Sequence, residues 1–159
     1  MVRFDIEITN RVEQRLTTSV DSLRAAVIRK AHALALELEA YVKTRKLSGQ
    51  VLHVRTGDLR RSIQSKVTVD GPRVEGSVFS DGSVPYADIH EFGGRTGPHD
   101  IIPVKAQALH FMMHGKEVFA KIVHHPGSKM PERSYLRSSL EEMAPRIESE
   151  MAAVLEERR

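Results

Sequence analysis

A single apolar stripe near the start of this chain limits what it can fold into. Val20, Leu23, Val27, Ala31, Leu34, Leu38 and Tyr41 recur at intervals of three and four, so on an α-helix they share one face. The other face carries Arg24, Arg29, Lys30, Glu37 and Lys43. A helix from about 18 to 46 would be roughly 40 Å long at its usual rise per residue. Asn10 or Thr18 is placed to cap it, and Ser48-Gly49 ends it. That length exceeds what a small sheet needs to cover itself, so part of the stripe is expected to face another subunit.

The segments around this helix read as strands and a second helix. Residues 3–9 alternate apolar and polar with period two, a short strand. Thr56 is suited to N-cap a short helix with Asp58 in its first turn, ending near Ile63. Asp70-Gly71-Pro72 separates two alternating runs, Lys66–Val69 and Val74–Phe79, as a hairpin turn would. The stretch around Tyr86 reads as a helical turn leading to a sharp bend at Gly93-Gly94. Two further strands are expected at Leu109–Met113 and Val118–Val123, joined through 114–117. Residues 94–106, rich in Gly, Pro and charge, form an expected extended loop or mobile arm. The final helix, 132–158, keeps Leu136, Leu140, Met143, Ile147, Met151 and Leu155 on one face, with Pro145 expected to kink or break it. Helix, hairpin, hairpin, helix gives an α+β fold: an antiparallel sheet of hairpins packed against a long N-terminal and a C-terminal helix, in a single domain over 1–159.

Composition narrows the function. At 159 residues and 40% hydrophobic, the chain can build one core, but aromatics are only 5% and Trp is absent. Stacking platforms for single-stranded nucleic acid are therefore scarce. Lys and Arg number 24 against 21 Asp and Glu, an excess that permits DNA contact without demanding it. There is no Cys, which excludes disulfides, thiolate nucleophiles and Cys-based metal sites. The N-terminus has no apolar signal core and no apolar run is long enough for a bilayer, so a soluble protein without a membrane partner is expected.

Three blocks carry the remaining information. The first is Arg55-Thr56-Gly57-Asp58-Leu59-Arg60-Arg61-Ser62-Ile63. The second is Pro85-Tyr86-Ala87-Asp88-Ile89-His90-Glu91-Phe92-Gly93-Gly94. The third is His125-Pro126-Gly127-Ser128-Lys129-Met130-Pro131, followed by Ser134-Tyr135-Leu136-Arg137. Arg55, Arg60 and Arg61 gather at one helix start around Asp58. Such guanidinium groups can make bidentate pairs with a neighbouring subunit's carboxylates, with Asp88 and Glu91 as candidates.

In content, order and spacing the blocks resemble the neck and tail-completion proteins of long-tailed bacteriophages. Arg55 to Ile63 match an Arg-Thr-Gly-x-Leu-Arg-x-Ser-Ile segment, and Tyr86, Ala87, Glu91, Phe92 and Gly93 match Tyr-Ala-x-x-x-Glu-Phe-Gly. His125, Pro126 and Gly127, then Pro131, Tyr135 and Leu136, match the third segment. Gly94 stands where the family usually has Thr, and Tyr135 lies beyond Pro131 where Phe more often follows Pro directly.

The resemblance implies a structural virion protein at the head–tail interface, assembled in the host cytoplasm. It implies a homo-oligomeric ring, commonly a hexamer, that completes the tail or neck and joins the capsid. Its neighbours would be other neck, connector and tail proteins, with DNA passing through the channel. A tail terminator capping the tube is the near alternative. Arg55, Asp58, Arg60, Arg61, Tyr86, Asp88, Glu91, Arg95, His99 and Tyr135 are the expected interface residues. No catalytic, cofactor or metal residue is assigned.

Other chemistry is weaker. His90-Glu91 lacks the second His of a zincin, and His110 with His114 share a strand face without further ligands. A nuclease could draw on Asp88, His90, Glu91, His99 and Asp100, but no phosphate-cradling loop or nucleophile elbow accompanies them. A DNA-binding module would use Arg55–Arg61 together with Lys43, Arg45 and Lys46, should the two groups converge. Met112, Met113, Met143 and Met151 are read as core or packing residues.

Overall fold

The computed structural model describes residues 1–7, 17–52 and 54–156, with backbone only at 4–7 and 17–19. The fold is α+β. Strand β1 (Val2–Glu7) is followed by helix α1 (Thr17–Tyr41), which widens into a π-helical turn over Val42–Lys46. Helix α2 (Asp58–Ser62) leads into the hairpin β2 (Ile63–Asp70) and β3 (Arg73–Ser80). These strands form an antiparallel sheet of order β1-β3-β2, with Asp70 opposite Arg73 at the turn. The expected strand end at 8–9, the Asn10 cap and the last residues of the C-terminal helix lie outside the described residues.

The apolar stripe of α1 does what its spacing predicts. Val27, Ala31, Leu34 and Leu38 are at most 1% exposed, and Val42 continues the face into the π turn. Within the chain, α1 packs this face against β2, β3 and helix α4 (Arg137–Glu156). The sheet and α4 together bury the stripe from Val27 to Val42, while Val20, Leu23 and Tyr41 stay half-buried. From α4 come Leu136 at its entry, then Met143, Ile147, Met151 and Val154. Val154, not Leu155, completes that row. The helix runs unbroken through Pro145, which sits on the exposed side, where water can satisfy the carbonyl its missing N–H leaves open.

Polar pairs tie α1 to α4 along the edge of this core. Lys46 and Tyr41 both donate to Glu142, each at 2.6 Å, while Lys30 reaches Glu150 at 3.0 Å and Arg146 reaches Glu37 at 2.7 Å. Lys43 pairs with Glu39 at 2.6 Å. Lys43 and Lys46 are thus each paired with a carboxylate of the chain.

Residues 94–130 leave this body as a β-arm. Three antiparallel ladders follow one another outward: β4 (Gly94–Arg95) with β9 (Lys129–Met130), β5 (His99–Ile101) with β8 (Val123–His125), and β6 (Leu109–Met113) with β7 (Lys116–Ala120). The expected loop at 94–106 is thus one edge of the arm. The tip is a two-residue turn, His114 (φ 51°) and Gly115 (φ 77°), tighter than the expected 114–117 connection. Both residues are in the left-handed region that such hairpin turns require. No residue of the arm is buried. Met112 and Met113, expected in a core, are 61% and 52% exposed.

Candidate functional site: a groove where the three sequence blocks meet

The second block forms helix α3 (Ala87–Phe92), and its Glu91 is the fixed point of the site. Glu91 is 3% exposed and its carboxylate accepts hydrogen bonds from the backbone N–H groups of Tyr135 (2.7 Å), Leu136 (2.9 Å) and Arg137 (2.9 Å), and from the Ser134 hydroxyl (2.8 Å). These are the donors that the first turn of a helix leaves without internal partners. Glu91 thus caps α4 from a distant part of the chain. Burial alone would push its carboxyl up, but the Leu136, Arg137 and Tyr135 amides and Ser134 outweigh it and hold it below the ordinary range.

Tyr135 sits beside this clamp, 1% exposed, its hydroxyl donating to the Ala87 carbonyl at 3.3 Å. Burial, then the Glu91 and Asp88 charges, push its phenol up, so it stays protonated. Arg133 N–H donates to the His90 carbonyl at 2.9 Å, a further link between the second and third blocks.

Two glycines let the blocks approach so closely. Gly93 (φ 69°) ends α3, and a Cβ there would lie 2.8 Å from the Glu132 nitrogen. Gly127 (φ 86°) lies across the arm's root, where a Cβ would come within 2.1 Å of the Thr96 carbonyl oxygen. Beside it Thr96 N–H donates to the Ser128 carbonyl (2.9 Å) and Ser128 N–H to the Thr96 hydroxyl (2.7 Å).

The first block lies alongside. Gly57, not Thr56, is the N-cap of α2; Thr56 instead hydrogen-bonds Asp58, and Arg61 folds back onto the same carboxylate. The Thr56 hydroxyl and then Arg61 hold the Asp58 carboxyl below its ordinary range. Between this block, α3 and the arm's root opens a groove of about 710 Å³. Leu47, Leu52, Leu59 and Met130 give it apolar walls, with Val54 and Tyr86 partly open to solvent. Arg55, Arg60 and Arg133 line it, and none makes an ion pair among the described residues. Tyr86 meets His90 edge-on at 5.8 Å. Burial first, and the Arg133 charge second, hold the His90 imidazole below its ordinary value, so it is neutral near pH 7. Its Nδ1 is buried without a hydrogen-bond partner.

The expected interface residues therefore divide. Arg55, Arg60 and Tyr86 gather at the groove. Asp88 is exposed on α3, and Arg95 and His99 lie on the arm, His99 stacked on His125 at 4.9 Å. Asp58 and Arg61 are exposed but spent on each other. Glu91 and Tyr135 are corrections: both are buried inside the chain, and Glu91 has no acceptor left for a neighbour's arginine. Two of the three carboxylates of the nuclease grouping are committed too, Asp100 to His124 on the arm and Glu91 to α4, while Asp88 stays exposed. Among the described residues no cluster of three His, Asp or Glu is placed to hold a metal ion, and no helix is long and apolar enough to cross a membrane.

Sequence reasoning missed His90, Met130 and Arg133 as groove residues. A signal existed for His90, one turn after Tyr86 on α3. Arg133 had none, because its place depends on the Glu91 clamp. No family model, curated protein or solved structure matches this chain.

Proposed function

We propose that this chain is a structural assembly protein of the long-tailed phage neck and tail-completion type, forming a homo-oligomeric ring at the head–tail interface of the virion. The observation that carries the reading is the arm at 94–130. It exposes Ile102, Val104, Met112, Phe119 and Ile122, each at least 52% open, yet buries nothing. Its root is fixed by Glu91, Gly93 and Gly127, the residues that carry the resemblance. A projecting arm with apolar side chains and a rigid root suits reach toward an adjacent subunit or ring, which would bury them. The groove, with arginines and apolar walls but no committed nucleophile or carboxylate pair, suits contact better than catalysis.

The test is the mass of the purified protein across concentration, by light scattering after size exclusion, with and without phage tails that lack their neck. A ring-sized species, or a monomer recruited by those tails, is expected. Removing residues 96–128 should leave a folded body that no longer joins particles. A monomer that ignores heads and tails but binds or cuts duplex DNA would overturn the assignment.

A further inference from the structure

We infer that the groove between the 47–60 segment, α3 and the arm's root is a docking site for an acidic peptide segment bearing one large apolar side chain, supplied by a partner protein. Several of the chain's cations are spent within it. Lys30, Lys43, Lys46, Arg61, Arg137 and Arg146 each have a carboxylate of this chain within ion-pair distance. Arg55, Arg60 and Arg133 have none among the described residues, although they come from two distant stretches of chain and face one groove. The groove's own acid, Asp58, is taken by Arg61 and Thr56. Three unpaired guanidinium groups around one opening present planar donor forks that fit carboxylates.

The walls decide which anion. Leu47, Leu52, Leu59 and Met130 offer a phosphate backbone nothing, but they take an apolar side chain out of water. A duplex would also need a longer basic track, and Lys43 and Lys46 are neutralised by Glu39 and Glu142. Charge complementarity around an apolar centre thus favours an acidic protein segment anchored by a residue such as Leu or Phe, with the cations at the rim. Rigid geometry supports the site as well, since α3 and Arg133 are joined by the His90–Arg133 backbone bond and the Glu91 clamp.

The inference extends the assembly reading to a partner but is tested apart from it, because it concerns the groove of a single chain and not the ring. A random library of short displayed peptides would be selected on the full-length protein and, in parallel, on the Arg55→Glu/Arg133→Glu variant. Both positions are exposed, so an unchanged thermal melt shows that the variant folds. Selected peptides should be net acidic with one large apolar residue, and should bind the variant at least roughly tenfold more weakly. Arg55→Lys/Arg133→Lys should recover part of the affinity, since a point charge survives but the bidentate fork does not.

No acidic and apolar bias in the selected peptides would overturn the proposal. So would equal binding to both proteins. A short DNA duplex that binds the wild type in preference to any selected peptide, and is lost in the variant, would give the groove to phosphate and equally overturn it. Self-association of the wild type that the Arg55→Glu/Arg133→Glu variant loses would give the groove to a second copy, with the same consequence. The peptide and duplex outcomes leave the ring measurement unchanged, so the two readings fail separately.

Discussion

The body and the arm are built on opposite terms. The body encloses Val27, Leu34, Leu38, Ile63, Val74 and Val78 at 1% exposure or less, so its elements are held by side chains packed together out of water. The arm has no buried residue and is held by backbone pairing, rung by rung, from Gly94 opposite Met130 to Met113 opposite Lys116. A two-stranded ribbon of this kind is marginal by itself in water. What makes it a fixed projection is its root, where the second and third blocks lock together. The residues that look like a functional signature in the sequence thus serve first to join a packed region to an unpacked one.

Breaking the joint should have the largest effect. Glu91→Ala leaves three backbone N–H groups at a buried helix start without their acceptor, a cost of about 3–5 kcal/mol. For a chain of this size that is a fall in melting temperature of roughly 10 °C, measurable by calorimetry. Glu91→Gln keeps the shape but turns one acceptor into a donor aimed at donors, so a loss of about 2 kcal/mol is expected. Wild-type stability for either variant would mean that the clamp does not bear on the body at all.

The same carboxylate gives a pH signature. Its folded-state value lies below the ordinary carboxylate value of about 4.3. The stability it contributes is therefore complete above the unfolded value, and is lost as pH falls through the folded value. Melting curves of wild type and Glu91→Gln, taken from neutral pH down to about pH 3, should converge as acid is added. A gap that stayed constant with pH would show that Glu91 acts through shape and not charge.

A smaller, local effect is expected at the arm's root. An alanine at Gly127 must move the Thr96 carbonyl, which its Cβ would meet at 2.1 Å, and adopt a left-handed φ as well. Opening the root should cost about 1–3 kcal/mol locally while the body's melt stays in place, because the arm shares no core with it. Hydrogen exchange at the Thr96 and Ser128 amides would report it. Should the whole protein melt earlier instead, arm and body are one cooperative unit and the contrast between them is wrong.

What was legible in the sequence follows the same division. The stripe of α1 and the β2–β3 hairpin were readable because period and turn residues are local signals, and both elements find their cover within the chain. The clamp was not, since nothing near Glu91 announces that its partners are the amides of Tyr135, Leu136 and Arg137; only their place in matching blocks hinted at it. The Thr56 cap failed because the hydroxyl had a nearer partner in Asp58. The arm misled in another way. Alternation gives the strand at 109–113 and places a second beyond the turn, though that one runs 116–120; period two says only which side chains share a face, not what covers it, so it cannot tell that Met112 and Met113 lie open rather than packed.

The smallest expected effect on stability is the sharpest probe of the comparison. Phe119 is 67% exposed and stacks on His110 at 4.7 Å. Replacing it with Ser should change the isolated protein's stability by no more than about 0.5 kcal/mol, as at most surface positions. Leu38→Ala in the body should cost about 2–5 kcal/mol, because it opens a cavity in packed surroundings. Yet if the arm's apolar side chains exist to be covered by another subunit, Phe119→Ser should lower the yield of assembled particles while Leu38→Ala lowers only the amount of folded protein. Counting particles per folded molecule separates the two. Equal loss per folded molecule for both variants would mean that the exposed face of the arm has no covering partner, and that its apolar residues merely shield the strands beneath them.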